Sequence, residues 1–248
     1  ELVSYELKAG ESIQMPPMMT GVFTGDVDDL GNTINEYIYA YKWDYTRDRY
    51  FNRTNMTIWR EAPLAERVYK IVAMGRYIGS ERLWVDDFWF DAKGNWNGIF
   101  GDDWHHIADY IRRNGMVFRL WMPPWHADRL SNVWVEHPEW MLNFHGNWYN
   151  WTIDMSREEA YQWILDMLCD MQERKIGTYD LRVDGDPCTL RNDRSFSTTG
   201  GDWNPMFLQS QNFYRLYKAF KDRNPEAGLD GCSSGGHTLT IESVRYTD

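Results

Sequence analysis

At 248 residues and 43% hydrophobic content, the chain is long enough to bury a sizeable core, which excludes a disordered reading. Its formal charge of −11, with 26 basic residues that form no run, argues against a nucleic-acid partner, and no stretch nears the roughly 18 apolar residues that cross a bilayer. Cys169, Cys188 and Cys232 give an odd count without CxxC spacing, so neither a zinc knuckle nor a disulfide framework is expected.

In chain order, Leu2 to Leu7 alternates, Ala9-Gly10-Glu11-Ser12 reads as a turn and Met18 to Phe23 as a second strand, so the first 25 residues look like a hairpin. Asp26 to Asp44 has helical spacing through Ile34, Ile38 and Tyr41, with Asp26 as its cap. Residues 1–50 are therefore read as the end of an N-terminal β domain and a linking helix. A regular alternation then starts: strand Met56–Trp59, helix Leu64–Ile78, strand Arg82–Phe88, helix Trp104–Arg113, strand Met116–Met122. Helix Arg157–Lys175, strand Thr178–Val183, helix Met206–Arg223 and strand Gly228–Cys232 follow.

Strands that alternate with helices of ten or more residues imply βαβ units and a parallel sheet. Two α/β folds fit, a doubly wound sheet and a (β/α)8 barrel, and no GxGxxG or Walker loop favours the first. Polar residues decide between them. Asp86 and Asp87 follow the second strand, Trp121 ends the third, Asp184 ends the fourth and Cys232-Ser233-Ser234 ends the fifth. A barrel brings all of these strand ends to one mouth. Residues 51–248 are thus read as an incomplete TIM barrel of about five or six βα units.

The chain holds 14 Trp, 15 Tyr and 11 Phe, and flat aromatic faces suit sugar rings as well as cores. Retaining glycoside hydrolysis needs two carboxyl groups on rigid supports. Asp184 stands at the end of an apolar strand with Arg182 on the same face, which fits a nucleophile and fits equally a loop cap or a simple ion pair. Asp86-Asp87 fits acceptors for sugar hydroxyls, or a helix cap. No cofactor or metal is expected: Leu30 and Tyr37 spoil the calcium-like run from Asp26, and the histidines lack HxH or HxxxH spacing. A serine-hydrolase reading of Cys232-Ser233-Ser234-Gly235-Gly236 is set aside for want of a GxSxG frame and of a helix directly after it.

Trp84-Val85-Asp86-Asp87-Phe88-Trp89-Phe90, followed by Gly101-Asp102-Asp103-Trp104, resembles the second-strand motif of the α-galactosidases of glycoside hydrolase family 36. Phe118-Arg119-Leu120-Trp121, Glu136-His137-Pro138-Glu139-Trp140, Ile153-Asp154-Met155-Ser156-Arg157, Leu181-Arg182-Val183-Asp184 and Cys232-Ser233-Ser234-Gly235-Gly236 extend the likeness in order. The resemblance implies a retaining α-galactosidase with Asp184 as nucleophile. It further implies that Asp86 and Asp87 bind the sugar's 4- and 6-hydroxyls, that Trp121 stacks on the ring, and that Arg182, Cys232 and Gly235 line the pocket. The family's acid/base aspartate would lie beyond residue 248, and Asp248 falls short of its spacing.

Four departures mark a divergent member: Arg182 for a lysine, Phe88 for a glycine, Pro123-Pro124 for a Phe-Glu-Pro-Glu-like segment, and Trp148 for a sugar-binding arginine. The sugar is left open among α-galactose, N-acetyl-α-galactosamine and a related α-glycoside, as is a barrel that binds carbohydrate without catalysis. The expected partner is an oligosaccharide or glycoconjugate, with no nucleic acid or membrane. Homo-oligomer formation and compartment stay open.

Overall fold

The computed structural model describes residues 7–44, 53–59, 65–87, 89–98, 104–142, 151–177, 179–185, 205–236 and 238–248. In chain order these form α1 (Val27–Tyr41), β1 (Asn55–Ile58), α2 (Ala65–Ile78), β2 (Arg82–Val85), α3 (Trp104–Arg113) and β3 (Val117–Met122). Next come β4 (His126–Ala127), α4 (Asn132–Glu136), β5 (Met141–Leu142), β6 (Trp151–Ile153), α5 (Glu158–Asp170), β7 (Asp180–Val183), α6 (Pro205–Arg223), β8 (Leu229–Gly231) and α7 (Ser233–Gly236).

The helices carry their reasons in sequence. Asp26 caps α1 by accepting from the Asp28 and Asp29 N–H groups, and the Asp29 carboxylate accepts from the Asp26 N–H in return. In α3 the buried Trp104, Ile107, Ala108 and Ile111 follow the i, i+3, i+4, i+7 stripe of an amphipathic helix. Glu158 and Glu159 open α5, where negative charge suits the amino end, and Ala160, Tyr161, Ile164, Leu165, Leu168 and Cys169 form its buried face.

Five strands pair in parallel in the order β1-β2-β3-β7-β8, which is also their order along the chain. A doubly wound sheet reverses direction at a switch point; this one does not, so it is an arc of a barrel wall. Residues two apart share a face. Leu83, Val85, Phe118, Leu120, Met122, Leu181, Val183 and Leu229 make one face, each at most 2% exposed, in one apolar cluster with the helices. Each contributes about 1.5–3 kcal/mol relative to exposure.

The other face carries Arg82, Trp84, Arg119, Trp121, Asp180, Arg182 and Asp230. Its charges are matched: Arg82 Nη2 lies 2.8 Å from Asp180 Oδ2, and Arg119 and Arg182 each reach Asp230 Oδ2 at 2.6 Å. Burial lowers the Arg82 guanidinium below its ordinary value and pushes Arg119 down to about 10, which leaves Arg119 a cation at neutral pH.

A second sheet, β4-β6-β5, is antiparallel and lies between β3 and β7 in the chain. Buried Gln209 of α6 fastens it: its amide accepts from Met155 N at 2.6 Å and donates to Ile153 O at 3.0 Å, while Asn212 Nδ2 donates to Met155 O.

Several sequence expectations need correction. The turn at residues 8–11 forms, closed by Glu11 N to Lys8 O, but Met18–Phe23 has no regular structure. Met18 and Val22 are exposed there, and a strand needs a neighbour to take its hydrogen bonds. The first strand of that hairpin lies largely outside the described residues, as does the 50/51 domain boundary. Helix Arg157–Lys175 ends its α-helical part at Asp170 and widens into a π-helical turn, Met171–Ile176, before Gly177 at φ 71°. A helical turn does follow Cys232 directly, over Ser233–Gly236, contrary to the expectation; Gly235 and Gly236 at φ 90° and 115° end it. Ser233 is 1% exposed, so it is presented to no substrate.

Candidate active site

The carboxyl ends of the strands hold the acidic residues in one layer, placed by backbone hydrogen bonds that continue the ladders. Asp86 N donates to Ile58 O, Asp184 N to Met122 O and Cys232 N to Val183 O, at 2.9, 3.2 and 2.8 Å. Trp121 stands beside Arg182, and Arg182 beside Asp230, in the parallel register. Asp86 follows Val85, whose partner Leu120 precedes Trp121, so Asp86 falls abreast of Trp121.

Two neutral donors reach Asp184. Trp121 Nε1 donates to its Oδ2 and Gly185 N to its Oδ1, both at 2.7 Å. These bonds aim the carboxylate. Gly185 is required: its φ is 72°, and a Cβ there would come within 2.6 Å of His126 Cε1. Asp86 is 7% exposed and accepts from Asp87 N at 2.9 Å. Burial raises its carboxyl above the usual range, the Asp87 N–H and the Arg182 charge oppose that, and Asp184 and Asp87 add to it. Asp86, Asp87, Asp184 and Arg182 therefore share one electrostatic neighbourhood.

Trp121 lies parallel to Phe90, with centroids 6.2 Å apart, and Lys93 Nζ is 5.9 Å from its ring centre. Trp89 Nε1 donates to the Trp121 carbonyl. Arg182, expected to serve Asp184, turns Nη1 to Asp230 and Nη2 to Cys232 Sγ at 2.9 Å, over the Trp84 ring at 4.1 Å. Gly235 is exposed, with open space where a side chain would begin. Asp248 is ruled out as an acid at this mouth: its carboxylate accepts from Leu229 N, at the opposite end of β8, and from Lys221 Nζ. Phe88, Asp102, Asp103, Trp148 and Cys188 lie outside the described residues, while Cys169 and Cys232 are free thiols.

The melibiase family model matches residues 17–248. The chain belongs to that family. Similar proteins include α-galactosidase Mel36A of Lactobacillus acidophilus, 24% identical over 205 residues that make up 73% of this chain and 27% of that protein. Another is the bifunctional α-galactosidase/sucrose kinase AgaSK of Mediterraneibacter gnavus, 21% identical, with 100% of this chain and 27% of that protein covered. Among solved structures, a variant of α-galactosidase AgaA from Geobacillus stearothermophilus in complex with stachyose superposes with a TM-score of 0.75 at 19% identity, over 88% of this chain and 33% of that one. The likeness gives this melibiase-family chain the fold of an incomplete (β/α)8 barrel. It spans about a quarter to a third of the length of these relatives.

Sequence reasoning missed Asp230, Lys93 and Phe90 as neighbours of the site. Asp230 was open to inference, since Asp230-x-Cys232 puts its side chain on the face of Cys232. Lys93 and Phe90 lie in the loop after β2, where no periodicity marks a direction.

Proposed function

We propose that the protein containing this chain hydrolyses terminal α-galactosides of oligosaccharides with retention of configuration. The observation that carries the reading is Asp184 at a strand end, fixed by the Trp121 indole and the Gly185 amide and close enough to Asp86 for their charges to interact. In this reading Asp184 attacks the anomeric carbon as the glycosidic C–O bond breaks, an acid/base outside this chain protonates the departing oxygen, and water activated by the same group then hydrolyses the covalent glycosyl ester. Asp86 and Asp87 accept hydrogen bonds from the 4- and 6-hydroxyls, Trp121 covers the ring face, Cys232 and Gly235 line the pocket near the 2-hydroxyl, and Arg182 is a further substrate-binding residue. Support comes from the order of the motifs along the chain and from family membership.

The full-length protein, reacted with a 2-fluorinated α-galactosyl donor and digested, should carry the sugar on the peptide that contains Asp184. A label on another residue overturns the assignment. Chromogenic α-glycosides of galactose, N-acetylgalactosamine and glucose, offered in parallel, identify the sugar; galactose should be hydrolysed fastest.

A further inference from the structure

We propose that Asp230 is a positioning residue of this site, the anchor that holds the Arg182 guanidinium in place beneath the pocket. The kinetic part of the proposal rests on the hydrolase reading above; the geometric part does not.

Arginine has a long, mobile stem and a flat fork, and a fork acts in one place only when more than one of its edges is held. Arg182 is held at three. Nη1 donates to Asp230 Oδ2 at 2.6 Å, Nη2 donates to Cys232 Sγ at 2.9 Å, and the plane lies 4.1 Å from the centre of the Trp84 ring. Only the first contact is ionic. Asp230 also accepts from Arg119 Nη1 at 2.6 Å, Arg119 Nη2 lies 3.9 Å from Asp180, and Asp180 is paired with Arg82 at 2.8 Å. Five charges of alternating sign thus run Arg82, Asp180, Arg119, Asp230, Arg182 along one face of the sheet and end beside Trp84 and Cys232.

The ends of that series differ in freedom. Arg82 and Asp180 side chains are 2% and 1% exposed, Arg119 is 8%, and Arg182 and Asp230 are 19% and 20%. If Asp230 loses its charge, Arg119 keeps Asp180, whereas Arg182 faces Arg119 with no shared anion between them. Arg182 is then the group that moves, away from Trp84 and Cys232. The consequence reaches catalysis because the Arg182 charge opposes protonation of Asp86.

The test uses the full-length protein with Asp230→Asn, Asp230→Glu, Arg182→Lys and the Glu/Lys double variant, assayed on the same panel of α-glycosides. Asp230→Asn should lower kcat/KM by about 10- to 100-fold, the scale of a misplacement near 1 Å. The sign of the pH effect separates positioning from mere loss of a charge. With Arg182 displaced, Asp86 protonates more readily and the acid limb of kcat/KM moves to higher pH. With Arg182 still in place, removal of a nearby negative charge moves it to lower pH. A limb that is unchanged or lower overturns the proposal.

Glu and Lys variants keep both charges and guard against a failure to fold. A longer acid and a shorter-reaching base should each cost about 10-fold alone, and together recover to within about threefold of the wild type. Additive losses overturn the proposal. If the wild-type protein hydrolyses no α-glycoside, the hydrolase reading fails instead, and a crystal structure of whichever Asp230 variant folds decides the geometric claim. Arg182 displaced from Trp84 and Cys232 supports it, and Arg182 undisturbed overturns it.

Discussion

The two ends of the parallel sheet use the same residue type in opposite ways. At the amino ends of the strands, Asp180 meets Arg82 and Asp248 meets Lys221, with Gly228 N and Leu229 N as further donors. At the carboxyl ends, Asp184 is oriented by an indole and a backbone amide, and Asp86 by the amide of Asp87. A buried carboxylate paired with a cation is locked, and breaking the pair is costly. Neutral donors fix direction without cancelling charge, which is what a group must retain if it is to attack or to accept from a hydroxyl. At the amino end, loss of either partner therefore leaves a buried charge, whereas the carboxyl end holds the acids to which the proposed function assigns the chemistry.

Substitutions can break this division. Asp184→Asn should lower kcat on the preferred α-glycoside by about 10⁴-fold or more while the thermal midpoint stays within a few degrees, because an isosteric amide keeps the donors' geometry. Asp180→Asn should do the reverse: it leaves the Arg82 cation buried and should cost about 3–5 kcal/mol in urea unfolding. Unfolding midpoints of the two variants that moved together would abolish the distinction.

Asp86→Asn sharpens the comparison, since that carboxylate is raised by burial. Loss of two charge-assisted bonds to substrate should lower kcat/KM by about 10²- to 10³-fold. Stability should move the other way. A carboxyl whose folded value lies above its unfolded value favours the fold in its protonated form, so the wild type loses stability as pH rises through that folded value. The variant should lack this loss and melt a few degrees higher at pH 7, as calorimetry across pH 3 to 8 would reveal; a lower melting point there contradicts the burial argument. The smallest effect is expected for Trp121→Phe. Removal of one N–H donor to a charged group should lower kcat by about 10-fold with KM little changed, and an unaltered kcat would mean that the indole does not orient Asp184.

Much of this fold was legible because its signals are periodic. The alternation of strands and helices from Asn55 to Gly231 follows from repeats of two and of three to four, and Asp86 and Asp184 stood out as acids that end apolar strands. The short strands β4, β5 and β6 have two or three residues each, too few for any period to register. The π-helical turn after Asp170 preserves a helical pattern while changing the bond that makes it. The pairing of Asp230 carries no local signal, because the two arginines it binds, Arg119 and Arg182, come from other strands. The role of Arg182 could not be read at all from its own segment: Trp84, Asp230 and Cys232 come from two other strands, and only pairing of those strands brings them to it.

Buried Gln209 carries one more consequence. Its amide presents the same acceptor and donor that a peptide unit would, so the chain leaving the central strand β6 finds its next hydrogen bonds on a helix side chain. The end of β6 is thereby tied to the longest helix described through the donor and the acceptor of one side-chain amide. The segment that follows β6 should consequently shift together with α6.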